Sequence, residues 1–169
     1  MKTKLRLMMT FVLLLVLLFV AFPAAAGAIK SEVTGKVIPL TSGEIPEKYW
    51  ETGNLIMHGR HEHQGYKFET NDPRLSGWGF GDISWEIFWN PDGTLAAIHL
   101  RGPIVITNDP EGQDIKWDCR STSKVDSEWY FVLDAVCFGR GVNDGLVAKF
   151  TLTGEEYDLQ GVIIDPGGE

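Results

Sequence analysis

The stretch GDISWEIFWNPDG, residues 81–93, decides the fold class of this 169-residue chain. Its apolar and polar side chains alternate: one set is Ile83, Trp85, Ile87 and Trp89, and the other is Asp82, Ser84 and Glu86. A period of two residues is typical of a β-strand with one face buried and one face in water. The residues that follow, Asn90 to Gly93, predict a tight turn, because Pro91 fixes φ and Gly93 accepts positive φ. We therefore expect a strand that ends in a hairpin.

The rest of the chain beyond residue 31 repeats this pattern of short apolar alternation and turn residues, and no window shows a helical period. We predict strands at 32–39, 54–70, 81–90, 94–106, 115–120, 129–138, 146–153 and 159–164, with a loop at 40–53. About eight strands joined by short turns favour a ring, because closure removes both exposed sheet edges. The predicted fold is all-β: a small closed antiparallel β-barrel of about eight strands, with a β-sandwich as the alternative.

The N-terminus has the layout of a secretory signal peptide. Lys2, Lys4 and Arg6 precede an apolar run over residues 7–22, and Pro23 leads into five small residues at 24–28. We predict a signal helix within residues 1–28, cleaved after Ala26 or Ala28, and a single domain over residues 29–169. The alternative is an uncleaved anchor, because residues 7–29 carry no charge and are long enough to cross a hydrocarbon core of about 30 Å. In both cases the domain lies outside the cytoplasm, since the basic residues stay inside.

The charge balance excludes some partners. The chain has 15 basic and 23 acidic residues, a net charge of −8. The predicted signal removes three basic residues and no acidic one, which leaves the domain at −11. Such a domain lacks the basic surface that binds nucleic acid or anionic membranes. Cation binding is compatible with it, and so is an ordinary charged exterior.

Cys119 and Cys137 are the only cysteines, and in an oxidising compartment they predict either a disulfide or two buried thiols. A hairpin turn centred at 124–126 places Cys119 opposite residues 131–133. On that geometry a bridge requires a register shift or pairing across the interior.

Three stretches carry a resemblance: TNDPRLSG (70–77), GRGVNDGLVAKFTLTG (139–154) and GVIIDPGG (161–168). Together with GPIVI (102–106) and DIKWDC (114–119), they resemble uncharacterised secreted bacterial proteins related to the allene oxide cyclase-like and dirigent-like β-barrels. The resemblance covers the chain from about residue 54 onward and implies an eight-stranded antiparallel barrel. In the plant relatives such barrels hold small hydrophobic molecules and steer a cyclisation or a radical coupling. None of their functional residues matches a position here, so the resemblance assigns no residue a role.

The segment MHGRHEH, residues 57–63, contains three of the four histidines. His61 and His63 share a strand face and predict a metal site if a third ligand from a neighbouring strand joins them, which could be His99, Asp82 or Glu86. His58 faces the other way unless Gly59 lies in a bulge. The alternative is a solvated polar face that happens to carry histidines.

Aromatic residues give the second candidate site. Trp85, Trp89, Trp117 and Phe80 are predicted to line a hydrophobic cavity, since small barrels either enclose one ligand or fill their interior with side chains. The sequence contains no catalytic motif, and we predict no catalytic residue. The function predicted first is a secreted, non-enzymatic barrel that binds a small apolar or amphipathic molecule or serves as a stable extracellular module. A cyclase or isomerase acting in the barrel mouth and a histidine-dependent metal-binding protein are the alternatives.

Overall fold

The computed structural model describes residues 27–40 and 46–168; all but the last two residues of the predicted signal peptide lie outside them. These residues form nine strands and one short 3-10 turn, Gly141–Asn143. The strands are Ile29–Pro39 (β1), Lys48–Thr52 (β2), Ile56–Thr70 (β3), Gly77–Trp89 (β4), Leu95–Thr107 (β5), Ile115–Val125 (β6), Phe131–Gly139 (β7), Val147–Thr153 (β8) and Asp158–Asp165 (β9).

All strand pairs are antiparallel, and eight of the strands form a ring. The order of neighbours is β1-β9-β8-β7-β6-β5-β4-β3-β2, and β1 also pairs with β3, from Gly35 opposite Thr70 to Pro39 opposite Tyr66. This β1–β3 pairing closes the row of strands from β1 to β3 into a ring. Strand β2 stays outside the ring and pairs with the same edge of β3 as β1 does, further along the strand. The all-β, antiparallel prediction is confirmed.

Strands β2 and β4 differ from the prediction for physical reasons. Strand β2 lies inside the segment predicted as a loop, and because all five of its residues are exposed, no buried face creates an alternating pattern. Strand β4 begins at Gly77 rather than at residue 81, since its first inward-facing positions are glycines. Gly79 has no room for a side chain, because the Phe68 ring of β3 occupies that space.

Cys119 and Cys137 form a disulfide between β6 and β7. The two residues are direct partners in the strand register, with their Cα atoms 3.9 Å apart. The prediction that Cys119 faces residues 131–133 is wrong, because β6 continues to Val125 and the turn lies further along the chain, around residues 127 and 128. Asp126 holds that turn by accepting hydrogen bonds from the backbone N–H groups of Glu128 and Tyr130. No register shift is required.

One end of the ring is covered by the segment 71–76, which we call the closing loop. Its Leu75 is 1% exposed. Trp117 Nε1 of β6 donates to the Arg74 carbonyl at 2.6 Å. The buried Lys116 ammonium donates to the carbonyls of Pro73 at 2.9 Å and Ser76 at 2.7 Å. These bonds satisfy backbone carbonyls that burial would otherwise leave unpaired, and they hold the loop across the end of the ring.

The described residues contain no helix that is long and apolar enough to cross a membrane.

Candidate functional site

The ring encloses a cavity of about 350 Å³ at the end away from the closing loop. Its walls are mainly apolar and come from seven strands; the apolar side chains include Val37, Phe68, Ile83, Ile98, Leu100, Ile104, Val125, Phe131, Leu133, Phe150 and Leu152. Gln64, Tyr66, Arg101, Ser121, Ser123 and Tyr157 add polar atoms to the lining. An apolar chamber with a few polar groups is the usual composition of a small-molecule site.

The inner face of β6 explains why the ring is filled at one end and hollow at the other. Its inward-facing residues run from Trp117 and Cys119 near the closing loop to Ser121 and Ser123 in the cavity. Large or covalently bridged side chains fill the first half of this face, and the short serine side chains leave the second half empty. The cavity therefore follows from the order of side-chain sizes along one strand.

The two serines also supply hydrogen-bonding atoms to the apolar wall. Ser121 Oγ donates to the Gly102 carbonyl at 3.0 Å, which leaves its lone pairs available. Ser123 lines the cavity, and its hydroxyl has no hydrogen-bond partner among residues 27–40 and 46–168. A ligand in the cavity can therefore receive or donate a hydrogen bond on the β6 side.

A chain of polar side chains faces these serines from the inner side of β3. The Tyr66 hydroxyl donates to Gln64 Oε1, and Gln64 Nε2 donates to Glu62 Oε1 at 2.6 Å. Trp85 Nε1 donates to the other carboxylate oxygen of Glu62. Burial, and to a smaller extent the charge of Glu62, raises the pKa of Tyr66, which keeps the phenol protonated. Tyr66 is thus a fixed neutral hydroxyl at the cavity wall.

The four aromatic residues predicted to bind a ligand lie elsewhere. Trp117 is fully buried against the closing loop, and Phe80 is on the outer side of β4, near Gly112. Trp85 covers Gly59 on the inner side of the sheet, and Trp89 Nε1 donates to the sulfur of Met57 at 3.1 Å. None of the four is in the cavity lining, although their neighbour Ile83 is. A ligand-binding role for these four residues stays a prediction.

The bulge considered at Gly59 is present. The register of β3 against β4 shifts between Gly59 and Glu62, and His61 takes a φ of +58°. This shift places His58, like His61, on the outer face, where His58 lies 3.5 Å from Glu86.

The three predicted metal ligands contact different groups. His61 Nδ1 lies 3.1 Å from Asp82 Oδ2, whereas His63 Nε2 lies 3.7 Å from Glu47 Oε1. The His99 ring packs against Phe88, with the ring centroids 5.1 Å apart. In the part of the chain that the structure describes, no group of three or more His, Cys, Asp or Glu side chains is placed to hold a metal ion.

Sequence reasoning missed the residues that do line the cavity, above all Tyr66, Ser121 and Ser123. The alternation of Trp117, Cys119, Ser121, Ser123 and Val125 was a usable signal, but it requires a strand that continues to Val125. The predicted hairpin turn at 124–126 ends the strand too early, because serine and aspartate are common in turns.

The comparisons add no relative. No protein-family model, no curated protein and no solved structure matches this chain. The resemblance to the allene oxide cyclase-like and dirigent-like barrels therefore stays a prediction.

Proposed function

We propose that this protein is a secreted, closed β-barrel that binds one small apolar or amphipathic molecule in its interior. The observation that carries the proposal is the cavity of about 350 Å³ between the mouth and the filled, loop-covered end. Its volume lies within the range of about 300–1,000 Å³ typical of ligand pockets. A protein that used its ring only as a rigid module would gain stability by filling this space.

Two further features support the proposal. The pairing of β1 with β3 joins the eight strands into a ring, which is the connectivity of a barrel. The N-terminal sequence has the layout of an export signal, and the disulfide suits an oxidising compartment outside the cytoplasm.

The polar atoms of the wall indicate the chemistry of the ligand. Tyr66 on β3 and Ser123 on β6 place hydroxyl groups within otherwise apolar walls. A ligand with an apolar body and a hydroxyl group can donate to the Tyr66 oxygen or accept from Ser123, and a ligand carbonyl can accept from Ser123. A pure hydrocarbon would leave Ser123 unpaired. We therefore infer an amphipathic molecule rather than a hydrocarbon.

A neutral apolar dye tests the cavity. We expect N-phenyl-1-naphthylamine to bind the purified protein at one site, seen as enhanced fluorescence. In S123W an indole occupies the cavity, and binding should weaken by at least about tenfold. The matched control is T122W, one residue away on the exposed outer face of the same strand.

Folding is checked by circular dichroism, and S123L provides a smaller filling side chain if S123W fails to fold. Dye binding by S123W and S123L that equals that of T122W would overturn the proposal, and so would an absence of binding by the unaltered protein. Native mass spectrometry of protein secreted by its own host would then identify a retained ligand by its mass.

A cyclase or isomerase that acts at the cavity is the second candidate function, and the protonated Tyr66 is the observation that favours it. Because the phenol proton is donated to Gln64, the Tyr66 oxygen can accept a hydrogen bond from a substrate hydroxyl and so hold the substrate in position. In that case Y66F would abolish turnover of a bound substrate and leave dye binding intact.

A further inference from the structure

Strand β2 presents an open sheet edge. It pairs with β3 through all five of its residues, and among residues 27–40 and 46–168 no strand pairs with its other side. Tyr49 is 49% exposed and Trp50 is 39% exposed. An unpaired strand edge displays free backbone N–H and C=O groups and is a template for pairing with another chain.

Contacts on both faces hold this edge in place. On the outer face the Trp50 ring stacks on the His58 ring, with the centroids 4.8 Å apart and the planes 7° apart. The Arg60 guanidinium lies 5.3 Å from the same Trp50 ring. On the inner face the Tyr49 and Trp85 rings are 6.3 Å apart. Because the strand is ordered before any partner binds, association has less conformational entropy to overcome.

We propose that β2 pairs antiparallel with β2 of a second copy of this chain, around a two-fold axis that passes between the two Trp50 residues. Such an axis stands perpendicular to the joined sheet, so facing residues must point to the same side. Only registers that pair residues of equal parity meet this condition. A residue then faces itself, or one that lies an even number of positions away.

The charges of the strand select one of these registers. In the register where Tyr49 faces Tyr49 of the partner subunit, Glu47 lies opposite Glu51 of the partner subunit. In the register where Glu51 lies at the axis, it faces Glu51 of the partner subunit. Facing like charges destabilise a strand pair. With Trp50 facing itself, no like charges oppose each other.

The same register also provides favourable cross-strand pairs. Tyr49 then faces Glu51 of the partner subunit, and its hydroxyl already donates to Glu51 Oε1 at 2.9 Å within the single chain. Since a phenol has one proton, each Tyr49 can exchange this bond for one to the facing Glu51 of the partner subunit, and the number of hydrogen bonds is unchanged. Two indoles facing each other at the axis add apolar contact.

The contact is small, and its strength should be modest. A five-residue strand pair falls at the low end of specific interfaces, so we expect a dissociation constant on the order of 10–100 µM. Sedimentation velocity of the purified secreted protein over a concentration series should show a monomer–dimer equilibrium in that range. The variant W50P should remain monomeric throughout.

Single cysteines test the register. Facing residues in an antiparallel pair have Cα atoms about 4.5–5.5 Å apart, within reach of a disulfide. W50C faces itself and should cross-link into a covalent dimer under mild oxidation. K48C faces Thr52 of the partner subunit and should not. The native cysteines do not compete, because both are buried and already bonded.

The outcomes separate clearly. A monomer at every concentration, or cross-linking of K48C as fast as W50C, would overturn the proposal. Preferential cross-linking through Y49C or E51C would show a different register and would also overturn it. Neither experiment depends on the cavity, so this inference and the proposed ligand binding can fail independently.

Discussion

Cys119 and Cys137 face each other directly across β6 and β7 and are bonded at the point where the packed half of the ring meets the hollow half. On the closing-loop side, the next inward residue of β6 is the buried Trp117. On the cavity side, the next inward residue is Ser121, opposite Ala135 of β7. The disulfide therefore ties together two strands that enclose the cavity.

Loss of this bond should destabilise the whole domain. The bridge closes a loop between residues 18 positions apart, and restricting the unfolded chain over such a loop contributes about 3 kcal/mol. We expect C119A/C137A to unfold in urea with a free energy lower by about that amount. Unfolding of the unaltered protein in reductant should give the same value, and an unchanged midpoint in both would contradict the prediction.

Gly59 should not tolerate a side chain while Trp85 is present. The two residues face each other across β3 and β4, and a Cβ at position 59 would collide with the Trp85 indole, which Glu62 holds in place. G59A should cost about 1–3 kcal/mol through overpacking. In the W85L background the same substitution should cost much less. Equal costs in both backgrounds would mean that the indole is not the obstacle.

The closing loop should make stability fall in acid. Three hydrogen bonds from the Arg74 guanidinium, at 2.6 Å, 3.0 Å and 3.2 Å, lower the pKa of Asp72 below its ordinary value. A carboxyl whose pKa is lower in the folded state stabilises the fold above its unfolded pKa, and that contribution is lost as the pH falls through the folded pKa.

We therefore expect D72N to be less stable by about 1–2 kcal/mol at pH 7. The difference from the unaltered protein should shrink from pH 5 downward, as measured by thermal unfolding. Asp92 and Asp109, whose pKa values are also lowered, titrate in both proteins and cancel in the difference. A pH-independent difference would rule out the ionised Asp72 as the cause.

Metal content is the direct check on the histidines. Because His61 and His63 contact different carboxylates, we expect protein purified without a histidine tag to contain far less than one equivalent of zinc, copper or nickel. Elemental analysis gives the answer. An equimolar metal that disappears in H61A/H63A would establish the site predicted from sequence.

The sequence predicted most strands but not the residues that line the cavity, and one short segment accounts for much of the difference. The alternation in residues 81–93 is strong because large apolar side chains cover the inner face, so the strand was predictable. Ser121 and Ser123 occupy the same kind of inward position, yet a polar residue that faces a cavity looks like a turn residue in the sequence. Because the predicted strand ends at residue 120, the predicted hairpin turn is displaced. The pairing of Cys119 with Cys137 and the serines of the cavity wall therefore could not be predicted.

The start of β4 and the whole of β2 were hidden for other reasons. Glycines at 77, 79 and 81 have no side chain to show which face of the strand is buried. The Phe68 ring of the neighbouring strand occupies the space where a side chain at position 79 would lie. Only the register between β3 and β4 shows that this space is used. Strand β2 is held by its pairing with β3 and by the Trp50 and His58 stack, which are long-range contacts without a local pattern.

The closing loop covers one end of the ring, so the cavity can open to solvent only at the other end. If the proposed ligand binds in this cavity, the disulfide and Trp117 limit how far it can enter. It would then have to leave by the same opening through which it entered.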